Sequence, residues 1–207
     1  MYNVTPIGLV LKMVIGSNKN LFIKNDKNFD LRAIKAKKFN LNQEQNDALK
    51  FLNSKNNRFD VSVLQGTTGS GKTLVYFERI KKIIAENKQA LVLLPEIFLT
   101  NEFKTRFYDF FGFEPAIWHS KITPKQKRII WKGLIKNKIK ILVGARSALL
   151  LPFKKLGLII VDEEHDNSYK QDEGVIYNAR DMAISRAQFE NIPCLLYTSP
   201  SPRDQRG

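Results

Sequence analysis

Val61-Ser62-Val63-Leu64-Gln65-Gly66-Thr67-Thr68-Gly69-Ser70-Gly71-Lys72-Thr73 is the stretch that decides the fold. A short β-branched run at 61–64 leads into eight residues that match G-x-x-x-x-G-K-[ST], and a helical pattern opens directly behind them. The glycines let successive backbone N–H groups turn inward around phosphate oxygens. The helix start adds the positive end of its dipole. The cradle is therefore assigned to Gly66, Thr67, Thr68, Gly69, Ser70, Gly71, Lys72 and Thr73. Lys72 would reach the β- and γ-phosphates of ATP, and the Thr73 hydroxyl would hold Mg²⁺. A chance glycine-rich turn would not need both correct flanks.

Outward from this loop the pattern alternates. A helix is expected over 73–85 with Val75, Ile80, Ile83 and Ile84 inward, then a strand at 90–94, a helix at 99–111 and a strand at 115–118. A helix over 124–136 has clear start signals: Thr123 as N-cap, Pro124 at the first helical position and Gln126 as capping-box partner. Further buried strands are expected at 140–143 and 158–161, and an earlier helix at 41–52. Short apolar strands separated by helices imply an α/β fold, a mostly parallel sheet covered by helices on both faces. The order of its strands is not readable from the sequence.

The strand at 158–161 ends in Asp162-Glu163-Glu164-His165. Carboxylates at that end of a buried strand face the crevice where open α/β sheets bind ligands. Asp162 would hold Mg²⁺, and Glu163 would orient or deprotonate an attacking water, which makes Lys72, Asp162 and Glu163 the catalytic candidates. His119, beside Trp118 at another strand end, reads as structural.

Composition narrows the class. Hydrophobic residues make up 43 %, enough for a packed core, and the single cysteine, Cys194, excludes a disulfide framework or a cysteine-bound zinc site within these residues. No apolar run approaches the roughly 20 residues of a membrane helix, and no signal peptide is read, so a cytoplasmic protein with no membrane partner is expected. Lys plus Arg number 34 against 20 Asp plus Glu, a formal net charge of +14. That surplus suits a polyanion, although a lysine-rich genome would produce it too. Residues 121–140 hold eight basic residues and no acidic one, which fits a solvated helix face at least as well as a DNA-facing patch.

The Asp-Glu-Glu-His quartet resembles the DEAH-like helicases of superfamily 2. Longer strings are similar to the primosomal replication-restart helicase family: Leu41-Asn42-Gln43-Glu44-Gln45, Leu94-Pro95-Glu96-Ile97 with Leu99-Thr100, Trp118-His119-Ser120, Gly144-Ala145-Arg146-Ser147-Ala148-Leu149, and 162–171 continuing to Tyr177-Asn178-Ala179-Arg180-Asp181. The resemblance covers about 41–193, and residues 1–40 are expected to be a linker or the tail of a preceding domain. It implies a RecA-like P-loop lobe, three-layer α/β/α, of an ATP-dependent 3′-to-5′ DNA helicase acting at stalled or branched forks, with other primosome proteins as partners. It implies that Gln45 contacts adenine, that His165 couples the nucleotide to the rest of the motor, and that Thr100, Arg146 and Ser147 touch DNA phosphates. The stretch 166–180 corresponds to the family's aromatic-rich loop. There Tyr169 and Tyr177 would stack on bases, and Lys170 and Arg180 would meet phosphates.

The family also carries a second lobe with arginine fingers, an N-terminal DNA-binding region and cysteine-bound zinc, all expected outside these residues. After Pro193 the family runs into a strand and a Ser-Ala-Thr motif. This chain instead reads Cys194-Leu195-Leu196-Tyr197-Thr198-Ser199-Pro200-Ser201-Pro202-Arg203-Asp204, which resembles the translation of a sequencing adapter. Residues 194–207 are therefore expected to be a non-native tail, the lobe to be incomplete at its C-terminus, residues beyond about Leu196 to have no fixed place, and the polypeptide to be nearly inactive alone. Two other functions fit the same motifs: a different superfamily 2 DNA translocase or RNA helicase, and a nucleotide-gated DNA-binding module without turnover.

Overall fold

The computed structural model describes residues 39–55, 58–67, 70–171 and 177–198. Thr68 and Gly69 of the phosphate loop, residues 172–176, residues 1–38 and residues 199–207 lie outside the described residues, and so do the expectations that fall on them.

Six parallel strands form the sheet, in the order β1-β8-β5-β2-β4-β3. They are β1 (Asp60–Gln65), β2 (Gln89–Leu93), β3 (Ala116–Trp118), β4 (Ile141–Gly144), β5 (Leu156–Val161) and β8 (Pro193–Thr198). A two-residue hairpin of β6 (Lys170–Gln171) and β7 (Tyr177–Asn178) stands apart from it. One apolar cluster joins α1 (Gln43–Ser54), α2 (Lys72–Ala85) and α3 (Asn101–Phe111) to one face of the sheet, and a second joins α4 (Pro124–Ile135) and α5 (Ala179–Glu190) to the other. This is the expected three-layer α/β/α arrangement.

Local chemistry explains where the helices begin. Asn42 and Gln45 form a reciprocal capping box at α1, and Thr123 and Gln126 form one at α4, with Pro124 in the first turn. Thr100 caps α3 by accepting from the Phe103 amide at 3.2 Å. The helix-side core is aromatic. Phe77, Phe103, Phe107, Phe110 and Phe111 pack with ring centroids 4.5–6.3 Å apart. Truncating one such buried ring to alanine costs about 3–5 kcal/mol. Phe39, within the segment expected to be a linker, stacks on Phe110 at 5.2 Å and so belongs to this packing.

Two expectations need correction. The strand at the phosphate loop is not covered on both faces. β1 lies at the sheet edge and alternates, with Val61 37 % and Val63 60 % exposed, because α5 packs over β5 and β8 rather than β1. The second correction concerns the tail. Cys194 to Thr198, placed in the tail from sequence, are part of the sheet, whereas residues 199–207 lie outside the described residues. They belong to β8, which pairs with β1 on one side and β5 on the other. Cys194, Leu195, Leu196 and Tyr197 are all buried. The run is apolar and β-prone whatever its origin, so it fills the interior position as any buried parallel strand would.

Candidate functional site

The carboxyl ends of the six parallel strands share one rim, and the sequence-predicted residues gather along it. At one end stands the phosphate loop. Gly71 has a positive φ of 78°, the left-handed conformation that glycine tolerates, and caps α2 with Lys72 as its first residue. A Cβ on Gly71 would fall 2.3 Å from the Gln45 side-chain nitrogen. Gln45 explains that crowding. Its Nε2 donates to the Ser70 carbonyl at 2.9 Å while its Oε1 accepts from the Asn42 amide at 3.0 Å. The glutamine therefore fastens the loop to α1. Lys72 lies along the loop and donates to the carbonyls of Gly66, Thr67 and Thr198, the last at 3.3 Å.

Asp162 and Glu163 follow β5 on the same rim, with β8 between them and the loop. Burial, and then the neighbouring Glu163, push the Asp162 carboxyl up to about 6. Tyr76, fully buried one helical turn beyond Thr73, donates its hydroxyl to Asp162 Oδ2 at 3.3 Å and also meets the Thr73 side chain. One phenol thus holds together a hydroxyl and a carboxylate, hard oxygen donors of the kind that suits Mg²⁺. Sequence reading missed Tyr76. The only signal was its i+3 position after Thr73, which an apolar helix face masks.

Glu163 has a positive φ of 51°, an unfavourable conformation for a residue with a Cβ. Such strain costs on the order of 1–3 kcal/mol and concentrates at functional sites. His165 stands between the two sides of the site, with Nε2 3.8 Å from Glu163 Oε2 and Nδ1 3.3 Å from the Thr198 hydroxyl.

Further along the rim the predicted DNA contacts fare differently. Tyr169 is 1 % exposed, and its hydroxyl donates to the carbonyls of Asp162 at 2.6 Å and Leu93 at 3.0 Å. A ring buried in this way cannot stack on a base. It binds the end of β5 to the end of β2. Arg180 was expected at phosphates but pairs with Glu164 at 3.1 Å and Asp181 at 3.0 Å, because carboxylates are its nearest neighbours. Tyr177 is half-buried, and among the described residues its hydroxyl finds no partner. Thr100 is engaged as a helix cap, and Ser147 accepts from Trp118 Nε1 at 3.1 Å. Arg146 donates to the backbone carbonyl of Lys170, whose own side chain is exposed. His119 accepts from the Lys121 amide at 3.2 Å, a local structural role.

Comparison with known proteins adds to this geometry. The DEAD/DEAH box helicase family profile matches residues 42–203. The chain is 43 % identical over 201 residues to the replication restart protein PriA of Rickettsia conorii, an alignment covering 94 % of this chain and 30 % of that protein. It is 44 % identical over 136 residues to the PriA of Bacillus subtilis, covering 66 % and 17 % respectively. The chain thus spans about a third or less of the length of these relatives. Among solved structures it resembles RecG bound to a three-way DNA junction, with a TM-score of 0.57 and 22 % identity over 81 % of this chain and 22 % of that one. It also resembles the Pyrococcus furiosus Hef helicase domain, with a TM-score of 0.52 and 17 % identity over 75 % and 32 %. At these identities the structural likeness establishes the fold.

Proposed function

The chain belongs to the DEAD/DEAH box helicase family, and from that premise we propose that residues 41–198 are the ATP-binding lobe of a DNA helicase that acts in replication restart. The observation that carries this is the convergence of Lys72, Thr73, Asp162 and Glu163 on one strand-end rim, with Tyr76 joining Thr73 to Asp162. The phosphate-loop amides and Lys72 bind the polyphosphate of ATP. Thr73 and Asp162 would hold Mg²⁺, which would supply charge neutralisation for the transferred phosphoryl group. Glu163 orients the attacking water and takes its proton. His165, touching both Glu163 and Thr198, passes the state of the nucleotide to β8. Gln45 supports the loop, and adenine recognition would use what remains of its hydrogen-bonding capacity.

Phosphoryl transfer needs positive charge on both sides of the γ-phosphate, and an arginine finger is typically worth about 10³–10⁵ in rate. Lys72 supplies one side. We assign the other to parts of the longer relatives, so this polypeptide alone binds ATP and turns it over slowly. The 3′-to-5′ polarity, action at forks and primosome partners are proposed from the family resemblance of the motif strings alone.

Nucleic-acid binding is assigned to the rim formed by the loops after β2, β3 and β4 together with Lys170 at the start of β6, with Arg146 and Lys170 at phosphates. The test is titration of labelled single-stranded oligonucleotides at increasing salt. Counterion release makes the affinity fall steeply and alike for all sequences. Binding that survives high salt, or that selects one base sequence, refutes this function.

A further inference from the structure

The turn that follows β2 exposes the wrong residues for a globular core. Glu96–Phe98 is a single 3₁₀ turn between Leu94 and the start of α3. Ile97 is 73 % exposed and Phe98 is 40 % exposed, and neither belongs to either apolar cluster of the lobe. The turn is held in place nonetheless. Glu96 accepts from the hydroxyl of Ser120 at 3.2 Å, which fixes it to the loop after β3. Two residues back, Trp118 donates to Ser147, which adjoins Arg146. A Cβ on Gly144 would come within 2.7 Å of the Trp118 carbonyl, so these loop bases are in close contact. The apolar pair thus sits at one end of a hydrogen-bonded ridge whose other end carries Arg146.

The surroundings are basic. Lys121 and Lys125 are exposed immediately beyond Ser120. Of the acidic residues that flank the pair in sequence, Glu102 is paired with Arg106 at 2.5 Å, and Glu96, exposed, accepts from Ser120. An exposed apolar step bordered by cations complements a ligand with flat apolar faces on an anionic backbone, an unpaired nucleic-acid strand. Of the two aromatics that sequence resemblance gave the rim, Tyr169 is buried under Asp162 and Tyr177 is half-buried.

We propose that Ile97 and Phe98 are the base-stacking platform of this rim, with Phe98 taking the face of an unpaired base while the backbone runs toward Arg146 and Lys170. This rests on the DNA-binding function proposed above and adds a named base contact to it. Stacking of this kind does not read sequence, because every base presents a π-face.

The test uses the 207-residue chain and two labelled strands of equal length, oligo(dT) and a fully abasic oligonucleotide with the same backbone. Phe98→Ala should weaken oligo(dT) binding about 5- to 100-fold, the range for loss of one base–aromatic stack, and leave the abasic strand unchanged. Phe98→Trp should restore oligo(dT) binding, and Arg146→Ala should weaken both strands alike. Phe98→Ala binding both strands as wild type does, or losing both equally, overturns the platform and leaves DNA binding in place. Wild-type protein that binds neither strand overturns DNA binding by this lobe and the platform with it.

Discussion

The two ends of the strand-end rim were built by different rules. At the β1, β5 and β8 end, chemistry dictates residue type. Phosphate cradling needs glycine at a positive φ, Mg²⁺ needs hard oxygens, and the attacking water needs a carboxylate. At the β2, β3 and β4 end, proposed above to meet nucleic acid, only exposure and charge would matter, because a nucleic-acid backbone is met by any well-placed donor. Gly71, Lys72, Thr73, Asp162 and Glu163 lie together on the strand-end rim, where the roles proposed for them require them to be. Of the rim candidates Thr100, Ser147, Tyr169 and Arg180, each is occupied in holding the fold together. Identity specifies the first end, whereas burial decides the second, and a single sequence carries little information on burial at loops.

The comparison can be broken most sharply at Glu163. Glu163→Gln should lower the ATP turnover number by about 10²–10⁴, the usual contribution of a positioned general base, while Mg–ATP and oligonucleotide affinities stay at wild-type values. Steady-state phosphate release beside two binding titrations checks this. Unchanged turnover would remove Glu163 from the chemistry. A fall in DNA affinity would mean that the two ends are not separable.

A smaller effect is expected at Tyr169, which belongs structurally to both ends. Removing its hydroxyl leaves the buried Leu93 carbonyl and the part-buried Asp162 carbonyl without that donor, a cost of about 1–3 kcal/mol. For a domain of this size that is roughly 2–10 °C in Tm. Tyr169→Phe should therefore melt earlier in a thermal scan and keep its affinity for single-stranded DNA. The reverse pattern, an unchanged Tm with weakened DNA binding, would return Tyr169 to the base-stacking role that resemblance implied.

Most of the fold was legible in the sequence. The capping boxes at Asn42/Gln45 and Thr123/Gln126, and the alternation of apolar strands with amphipathic helices, place five of the six sheet strands and four of the five helices within a few residues. What escaped was long-range. Strand order depends on which edges meet, so neither the edge position of β1 nor its exposed Val61 and Val63 could be read locally. α5 was not foreseen because its buried face is only Ala179, Ala183 and Ala187, too slight a hydrophobic stripe to register. β8 was discounted because Cys194 to Thr198 departs from the family's motif. Burial between β1 and β5 asks only for apolar, β-prone residues, and these are present. At the site, Tyr76 was hidden in an apolar helix face, and nothing in the sequence set Phe98 apart from the other thirteen phenylalanines.

The proposal that the Gly66–Thr73 loop is an ATP site is tested most directly by calorimetric titration of Mg–ATP into the 207-residue chain and into Lys72→Ala. The expected result is binding to the wild-type chain and a loss of at least about 1.5–3 kcal/mol in the variant, the range for a charge-assisted hydrogen bond, or roughly 10- to 150-fold in Kd. Equal affinity in the two proteins would contradict the assignment of the phosphate loop and, with it, the nucleotide end of the rim.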